Sequence, residues 1–236
     1  MVEKTEVVIA NEDGTETKGI LTVPDSMKAL VIFAHGSGSG RLSPRNQQVA
    51  DELNKKGIGT LLFDLLTEDE SENRSNVFDI PLLANRLTWA TKWVRAQDFS
   101  DGIPIGYFGA STGAGAALLA TADSDEKIFA VVSRGGRPDL ALSHLHKVDA
   151  PTLLIVGDLD IHVIPLNERA LHELRNGKLI LIPGATHLFE EPGKLEDVSE
   201  KAADWFLSCL SQNQIRLPEN LKTGPVHRHQ PGDNVV

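Results

Sequence analysis

Short apolar segments alternate with longer amphipathic segments along most of the chain. Leu30–Ala34 and Leu153–Val156 are continuously apolar, which is typical of strands buried on both faces of a parallel sheet. The amphipathic segments predict helices, the first of which begins at Pro44 and ends before Gly57, as helix-terminal signals require. We predict eight strands, at Glu6–Ala10, Lys18–Val23, Ala29–Ala34, Gly59–Phe63, Ile105–Phe108, Phe129–Ser133, Thr152–Val156 and Lys178–Ile182. We predict five helices, at Pro44–Lys56, Ile80–Gln97, Thr112–Ala122, Pro165–Arg175 and Leu195–Leu210.

This alternation predicts an α/β fold, with a mostly parallel central sheet covered by helices on both faces. The first two strands are joined by Asn11-Glu12-Asp13-Gly14, a turn sequence that favours an antiparallel hairpin. The segment between the sixth and seventh strands is too short for a large cap domain. We expect one domain over residues 1–211 and an extended C-terminal tail over residues 212–236, which contains three prolines and few apolar residues.

Composition excludes several classes of protein. The 236 residues are 41% hydrophobic, enough to exclude disorder over the whole length, and carry 23 basic and 33 acidic groups, a net charge of −10. This acidic balance argues against a nucleic-acid partner. With one cysteine the chain has no internal disulfide and no cysteine-based metal site, and His227 and His229 alone do not make one. Without a secretory signal or an apolar stretch long enough to cross a bilayer, we expect a cytoplasmic protein with no membrane partner.

A candidate nucleophile stands directly after the fifth predicted strand. Gly109-Ala110-Ser111-Thr112-Gly113 matches the G-x-S-x-G nucleophile elbow and has the required strand before it and an alanine-rich helix after it. Glycines are needed two residues before and after Ser111 because side chains there would collide in so tight a turn. The alternative is a glycine-containing turn in which Ser111 only caps the helix.

A serine nucleophile needs a base, and the base needs a carboxylate to orient it. His187 lies in the loop after the last predicted strand and is our candidate base, with His162 as a rival; we expect His35 to brace a loop instead. Asp158 and Asp160 follow the seventh strand and are both candidates for the acid. The order serine, aspartate, histidine is the order found in α/β-hydrolases.

The tetrahedral intermediate of such a reaction needs an oxyanion hole. One expected donor is the backbone N–H of Thr112, and the second comes from the glycine-rich loop His35–Gly40 after the third strand. This loop lacks the Gly-Lys-Ser/Thr ending of a phosphate-binding P-loop. It also fails the G-x-G-x-x-G dinucleotide pattern, because Arg41 stands at the last glycine position.

Over roughly residues 5–210 the chain resembles the α/β-hydrolases, and more narrowly their dienelactone hydrolase-like branch. The resemblance rests on His35-Gly36-Ser37-Gly38-Ser39, on the elbow at Ser111, on Gly157-x-x-Asp160-x-x-Val163 and on Gly184-x-x-His187. It implies a three-layer sandwich with little or no cap, Asp160 as the triad acid, and the Ser37 amide as the second oxyanion donor. Dienelactone hydrolases proper have cysteine at the elbow, so Ser111 favours ordinary ester or thioester chemistry.

Arginines cluster near the predicted strand ends and are candidate substrate-binding residues. Arg41 follows the glycine-rich loop, and Arg134 and Arg137 flank Gly135-Gly136 after the sixth strand. Guanidinium groups there could clamp a carboxylate or phosphate, which makes an anionic substrate a hypothesis. The structural alternatives are that Arg137 caps a turn and that nearby Arg45 pairs with Asp139 or a helix.

These patterns predict a serine hydrolase that cleaves a carboxylic ester, or a related lactone or thioester, of a small soluble molecule without a metal or organic cofactor. Two alternatives remain open at this point: an acyltransferase that uses the same triad, and a non-catalytic binding module that keeps the fold. The polar segment Leu65–Ile80 is expected to be a flap or a solvated loop. The pattern does not predict an oligomeric state.

Overall fold

The computed structural model describes residues 2–216 and contains all eight predicted strands and all five predicted helices. The strands are β1 (Val2–Ala10), β2 (Glu16–Pro24), β3 (Ala29–Ala34), β4 (Ile58–Phe63), β5 (Ile105–Ala110), β6 (Ile128–Arg134), β7 (Thr152–Gly157) and β8 (Gly177–Ile182). The helices are α1 (Pro44–Lys55), α2 (Glu68–Glu72), α3 (Arg74–Val77), α4 (Ile80–Arg95), α5 (Thr112–Asp123), α6 (Ile164–Glu173) and α7 (Lys194–Arg216). Two 3-10 helices, Asp98–Ser100 and Pro138–Lys147, complete the described elements.

The strands form one sheet in the order β1-β2-β4-β3-β5-β6-β7-β8. β1 pairs with β2, and β2 with β4, antiparallel, while every pair from β4 to β8 is parallel. β3 is flanked by β4 on one side and β5 on the other. The connection after β3 therefore leads to one side of β3, and the connection after β4 crosses back to the other side. In an open α/β sheet, such a switch point opens a crevice at the carboxyl ends of the strands, where ligands bind. This places Ala34 and Ala110, the last residues of β3 and β5, at the expected site.

Helices cover both faces of the sheet, as predicted. Along β3, Leu30 and Ile32 pack into one buried cluster, whereas Val31 and Phe33 pack into another. The first cluster lies under α4 and α5, and the second under α1 and α7. Because successive strand residues point to opposite faces, a strand with a core on each side must be apolar throughout. Between β6 and β7 the chain forms only the 3-10 helix Pro138–Lys147, so no cap domain is present there.

The polar segment after β4 is more ordered than the sequence analysis expected. It forms α2 and α3, and Thr67 caps α2 in a reciprocal capping box with Glu70. Arg86 on α4, whose side chain is fully buried, pairs with Glu70 and with Asp13 in the β1–β2 turn. The segment expected to be a flap or a solvated loop is mostly exposed but forms two short helices, and Glu70 in the first of them is held by the buried cation Arg86.

The C-terminal helix α7 ends at Arg216, beyond the predicted end at Leu210. Most of the predicted tail, including His227 and His229, lies outside the described residues, and the division into a domain and a tail stays a prediction. Within residues 2–216, no helix is both long enough and apolar enough to span a membrane.

Candidate active site

Ser111 occupies a strained backbone conformation between β5 and α5. Its φ is 50° and its ψ −121°, a region that non-glycine residues rarely adopt. A Cβ atom on Gly109 would lie 2.4 Å from Ala114 Cα, and one on Gly113 would lie 2.2 Å from the Ala34 carbonyl oxygen. The two glycines therefore let the chain turn sharply enough to present Ser111 at the switch point.

His187 and Asp160 are brought together at the same edge of the sheet. His187 Nδ1 lies 2.7 Å from Asp160 Oδ2; the His187 side chain is 38% exposed and the Asp160 side chain 10%. A carboxylate only accepts hydrogen bonds, so His187 Nδ1 carries the hydrogen of this contact. The lone pair of His187 Nε2 is then available to take a proton from another group. Asp158 has a different role: its Oδ1 accepts the backbone N–H of Gly184 at 2.6 Å and fixes the turn that leads to His187. The geometry thus distinguishes two aspartates that the sequence left open.

Gly135 connects the histidine loop to the serine. A Cβ on Gly135 would lie 3.4 Å from His187 Nδ1 and 3.1 Å from the His187 carbonyl oxygen, so the histidine packs against this glycine. The Ser111 amide donates to the carbonyl oxygen of the neighbouring Arg134 at 3.2 Å. Phe189, fully buried, anchors the far end of the histidine loop in the core. Residues from three distant stretches of sequence therefore meet around Gly135.

The other two histidines considered above lie in different surroundings. The His35 Nε2 atom accepts the Leu65 amide at 3.0 Å, and its Nδ1 lies 2.9 Å from the Gly36 carbonyl oxygen. These partners require the neutral, Nδ1-protonated imidazole, and burial lowers the pKa of His35. His35 therefore braces the glycine-rich loop, as the sequence analysis expected. His162 is exposed.

The glycine-rich loop lies directly against the elbow. A Cβ on Gly36 would be 3.1 Å from Ser111 Cβ, so a side chain there would crowd the serine. The next amide, that of Ser37, donates to Thr112 Oγ1 at 3.0 Å. This bond brings the Ser37 amide beside the residue whose own backbone N–H is the other expected oxyanion donor.

A cavity of about 670 Å³ opens beside this loop. Its walls include Ser37 and Thr112 from the loop and elbow, and apolar side chains from the segment after β4 and from α4, namely Leu65, Leu66, Val77 and Leu83. Lys18 and Arg41 also line it. The cavity thus combines a small apolar wall with a lining that is otherwise polar and charged, including Glu16, Glu68 and Asp69.

The three candidate substrate-binding arginines have different environments. Arg41 pairs with Asp64, and Arg137 forms two hydrogen bonds of 2.8 Å with Asp139, so each guanidinium is held by a carboxylate. Arg134 is 8% exposed, and its one hydrogen bond among the described residues runs from Nη2 to Asn46 Oδ1 at 3.4 Å. Burial and the nearby charge of Arg45 lower the pKa of Arg134 to about 10.

The sequence analysis did not identify Asn46 or Glu190. Asn46 lies on α1 in register with Val49, Ala50 and Leu53, on the face that packs against the sheet, and it is 2% exposed. The sequence signal that could have identified Asn46 is its position as a polar residue on an otherwise apolar helix face. Arg45 pairs with Glu190 at 2.8 Å and not with Asp139, the partner considered above. No local pattern in the sequence links Arg45 to a residue as distant as Glu190.

Comparison with known proteins agrees with the fold. Residues 27–205 match the family model described as an alpha/beta hydrolase domain. The chain is an α/β-hydrolase. The crystal structure of a dienelactone hydrolase from Anabaena variabilis is 50% identical to this hydrolase, with a TM-score of 0.84, and the match covers 88% of this chain and 98% of that one. Est1E from Butyrivibrio proteoclasticus has a TM-score of 0.75 at 19% identity, over 87% of this chain and 99% of that one, and shows the fold alone.

Two curated relatives from Mycobacterium tuberculosis, each provisionally named a phosphoribosyl transferase, are 58% identical to the hydrolase over 194 residues. The match covers 81% of this chain but 44% of each relative. The hydrolase therefore spans less than half the length of these relatives. The expected resemblance to dienelactone hydrolases is confirmed, and the chain belongs to the α/β-hydrolase class.

Proposed function

We propose that the hydrolase is a serine esterase that cleaves a carboxylic ester, or a related lactone or thioester, of a small molecule. The observation that carries the proposal is the 2.7 Å contact between His187 and Asp160 at the rim where Ser111 stands on its strained turn. In this proposal Ser111 is the nucleophile, His187 the general base and Asp160 the residue that orients the imidazole.

The proposed reaction follows from the protonation states. His187 Nε2 takes the Ser111 hydroxyl proton as the oxygen attacks the ester carbonyl, and Asp160 stabilises the resulting imidazolium. The same proton passes to the leaving alcohol when the C–O bond breaks. Water then attacks the acyl-serine with His187 again as base, the bond between the acyl carbon and Ser111 Oγ breaks, and His187 returns the proton to Ser111 as the carboxylic acid leaves. The positive end of α5 favours the negative oxygen that forms at Ser111.

The proposed oxyanion donors are the backbone N–H groups of Thr112 and Ser37. The Ser37 amide donates to Thr112 Oγ1, so a substrate oxygen has to share this hydrogen or replace the hydroxyl as its acceptor. Replacing the Thr112 hydroxyl costs little free energy, because this hydroxyl can rotate to another partner. The charged substrate oxygen in turn accepts a stronger hydrogen bond from the Ser37 amide than the hydroxyl does. The adjacent cavity, with its apolar wall, would hold one side of the substrate.

The provisional name of the Mycobacterium tuberculosis relatives suggests a different chemistry for those proteins. More than half of each relative lies outside the region shared with this chain. The region of this chain that is shared with the relatives contains the residues of the proposed triad. We therefore do not extend phosphoribosyl transfer to this chain.

The proposal is tested with a p-nitrophenyl ester and four variants. We expect Ser111→Ala and His187→Ala each to lower kcat by about 10⁴ or more, and Asp160→Asn by about 10⁴, as in other triads. His144→Ala is the matched control, because His144 also faces an aspartate, Asp123 at 3.5 Å, on the protein surface. Wild-type kcat in Ser111→Ala would remove the serine from the mechanism.

Hydrolysis and acyl transfer share the acyl-enzyme and differ in what attacks it. Product analysis in the presence of a series of added alcohols separates the two. The proposal expects the free acid as the main product at moderate alcohol concentrations. New esters as the main product would make the protein an acyltransferase on the same triad.

A further inference from the structure

Arg134 is a buried cation without a carboxylate partner among the described residues. Its side chain is 8% exposed, and neither Nε nor Nη1 has a hydrogen-bond partner there. The neutral amide oxygen of Asn46 accepts from Nη2 at the long distance of 3.4 Å. A buried ion normally has a counter-ion and nearly complete hydrogen bonding, because its desolvation is costly. Arg134 therefore has unmet capacity to bind an anion.

The surroundings of Arg134 add to this capacity. Asn46 belongs to the first turn of α1, a helix of 12 residues, so the guanidinium reaches the positive end of that helix. Arg45 in the same turn also has a buried Nε without a partner, and its charge lowers the pKa of Arg134. The one described carboxylate paired with this group is Glu190, which binds Arg45 Nη1 and is 62% exposed. Two guanidinium charges are thus opposed by a single, largely solvated carboxylate.

This cluster lies beside the proposed reaction centre and away from the cavity. Arg134 is the last residue of β6, and its carbonyl oxygen accepts the Ser111 amide. The residue after it, Gly135, packs against His187. The Arg134 side chain points toward α1, whereas the cavity is lined by residues such as Leu83 from the opposite face of the sheet.

We propose that Arg134 and Arg45 form a subsite that binds the phosphate group of the substrate, next to the ester bond. Three buried nitrogen atoms of the two side chains have no hydrogen-bond partner among the described residues: Arg134 Nε, Arg134 Nη1 and Arg45 Nε. A phosphate monoester has three terminal oxygens and up to two negative charges, so it can accept hydrogen bonds from all three nitrogen atoms and offset the positive charge that the largely solvated Glu190 leaves. A carboxylate can also accept these hydrogen bonds, but it brings only one negative charge, so we expect it to bind more weakly than a phosphate.

This inference rests on the proposed esterase function and narrows its substrate class. The substrate would be a carboxylic ester of an alcohol or acid that also carries a phosphate monoester. Hydrolysis breaks the carboxylic ester C–O bond at Ser111, and water supplies the OH of the acid and the H of the alcohol. The phosphate group stays intact and serves only for binding.

Binding is tested first, with inorganic phosphate as the probe and without any turnover. We expect phosphate to raise the Tm of the wild type and of Ser111→Ala, relative to chloride at equal ionic strength. The shift should be lost in Arg134→Met and reduced in Arg45→Met. Arg175→Met is the matched control, because Arg175 is an exposed arginine that pairs with Asp149, and it should keep the full shift. An equal shift in wild type and Arg134→Met would overturn the subsite.

Specificity is tested with three butyryl esters that differ in one group: butyryl glycerol 3-phosphate, butyryl glycerol and butyryl glycerate. We expect the wild-type kcat/KM to be at least about tenfold higher for the phosphate ester than for either of the others, as one charge-assisted contact site can provide. Arg134→Met and Arg45→Met should each reduce that ratio toward one. A ratio near one in the wild type, or an equal preference for the carboxylate ester, would overturn the assignment to phosphate.

The two proposals can fail separately. If Ser111→Ala abolishes hydrolysis of all three esters but the phosphate preference is absent, the esterase proposal stands and the subsite does not. If phosphate binds through Arg134 but Ser111→Ala hydrolyses the esters at the wild-type rate, the subsite stands and the triad does not. Arg45→Met keeps the test decisive should Arg134→Met fail to fold, because the Arg45 side chain is one-third exposed.

Discussion

The turn at Ser111 depends on Gly113, and a single methyl group there tests this dependence. In Gly113→Ala the added Cβ would lie 2.2 Å from the Ala34 carbonyl oxygen and 2.5 Å from that of His35. Both opposing atoms belong to the backbone, so no side-chain rotation relieves the overlap. Overpacking costs about 1–3 kcal/mol, and the rigid contact places this site at the upper end. Alanine recovers at most about 1 kcal/mol through helix propensity, which leaves a net loss of about 2 kcal/mol.

The same overlap should also affect the reaction. Ala34 and His35 lead into the glycine-rich loop, so relief of the overlap moves the Ser37 amide away from the elbow. Misplacement by about 1 Å can cost 10²-fold in rate, and we expect a loss of kcat of that order. Urea unfolding followed by tryptophan fluorescence measures the stability, and turnover of a p-nitrophenyl ester measures kcat.

Gly115→Ala is the control in the same helix. Its Cβ would lie 3.0 Å from the Arg137 carbonyl oxygen and 3.0 Å from Cβ of Leu140, a residue that is 38% exposed and able to shift. We expect a change in unfolding free energy within about 1 kcal/mol and kcat near the wild-type value. If Gly113→Ala matched this control in both stability and kcat, the steric account of the elbow would be refuted.

Three further predictions concern the frame around the site. The pKa of His35 is lowered in the fold, so the folded state binds fewer protons than the unfolded state, and stability should fall as the pH drops below about 6.5. The stability difference between wild type and His35→Gln should therefore shrink from pH 8 to pH 5, and a pH-independent difference would contradict this. Arg86→Leu should lower the unfolding free energy by about 2–3 kcal/mol and expose α2 to limited proteolysis, because Glu70 loses its buried partner; an unchanged digestion pattern would argue against this anchor. Tyr107→Phe should cost about 1 kcal/mol in urea unfolding, the value of its 2.7 Å hydroxyl contact with Thr91, and no loss would mean that this contact is not stabilising.

Most of the fold could be predicted because its signals are local. Leu30–Ala34 in β3 and Leu153–Val156 in β7 are continuously apolar and buried, and α1 begins at Pro44 as predicted. The elbow could also be predicted, because its five-residue pattern lies between a strand and a helix and Gly109 is required by a contact with Ala114 in the same turn. These features depend on residues that are close in sequence, where pattern and geometry are linked most directly.

The remaining features depend on contacts between distant residues. The choice between Asp158 and Asp160 depends on which carboxylate meets the Gly184 amide and which meets His187, both in a loop 26 or 27 residues away. The contact between Arg134 and Asn46 joins residues 88 positions apart. No periodicity or local spacing encodes such pairs, and they emerge only when the sheet brings the strand ends to one edge. The same holds for the bond between Arg86 and Glu70, which orders the segment expected to be a loop.

The central claim, that Ser111 is activated by His187, is tested most directly by covalent labelling with a fluorophosphonate followed by peptide mass mapping. The account predicts one adduct, on Ser111, formed at the same rate in wild type and His144→Ala and at least about 10²-fold more slowly in His187→Ala, because the general base is missing. An adduct on another residue, or equal labelling rates in wild type and His187→Ala, would contradict it.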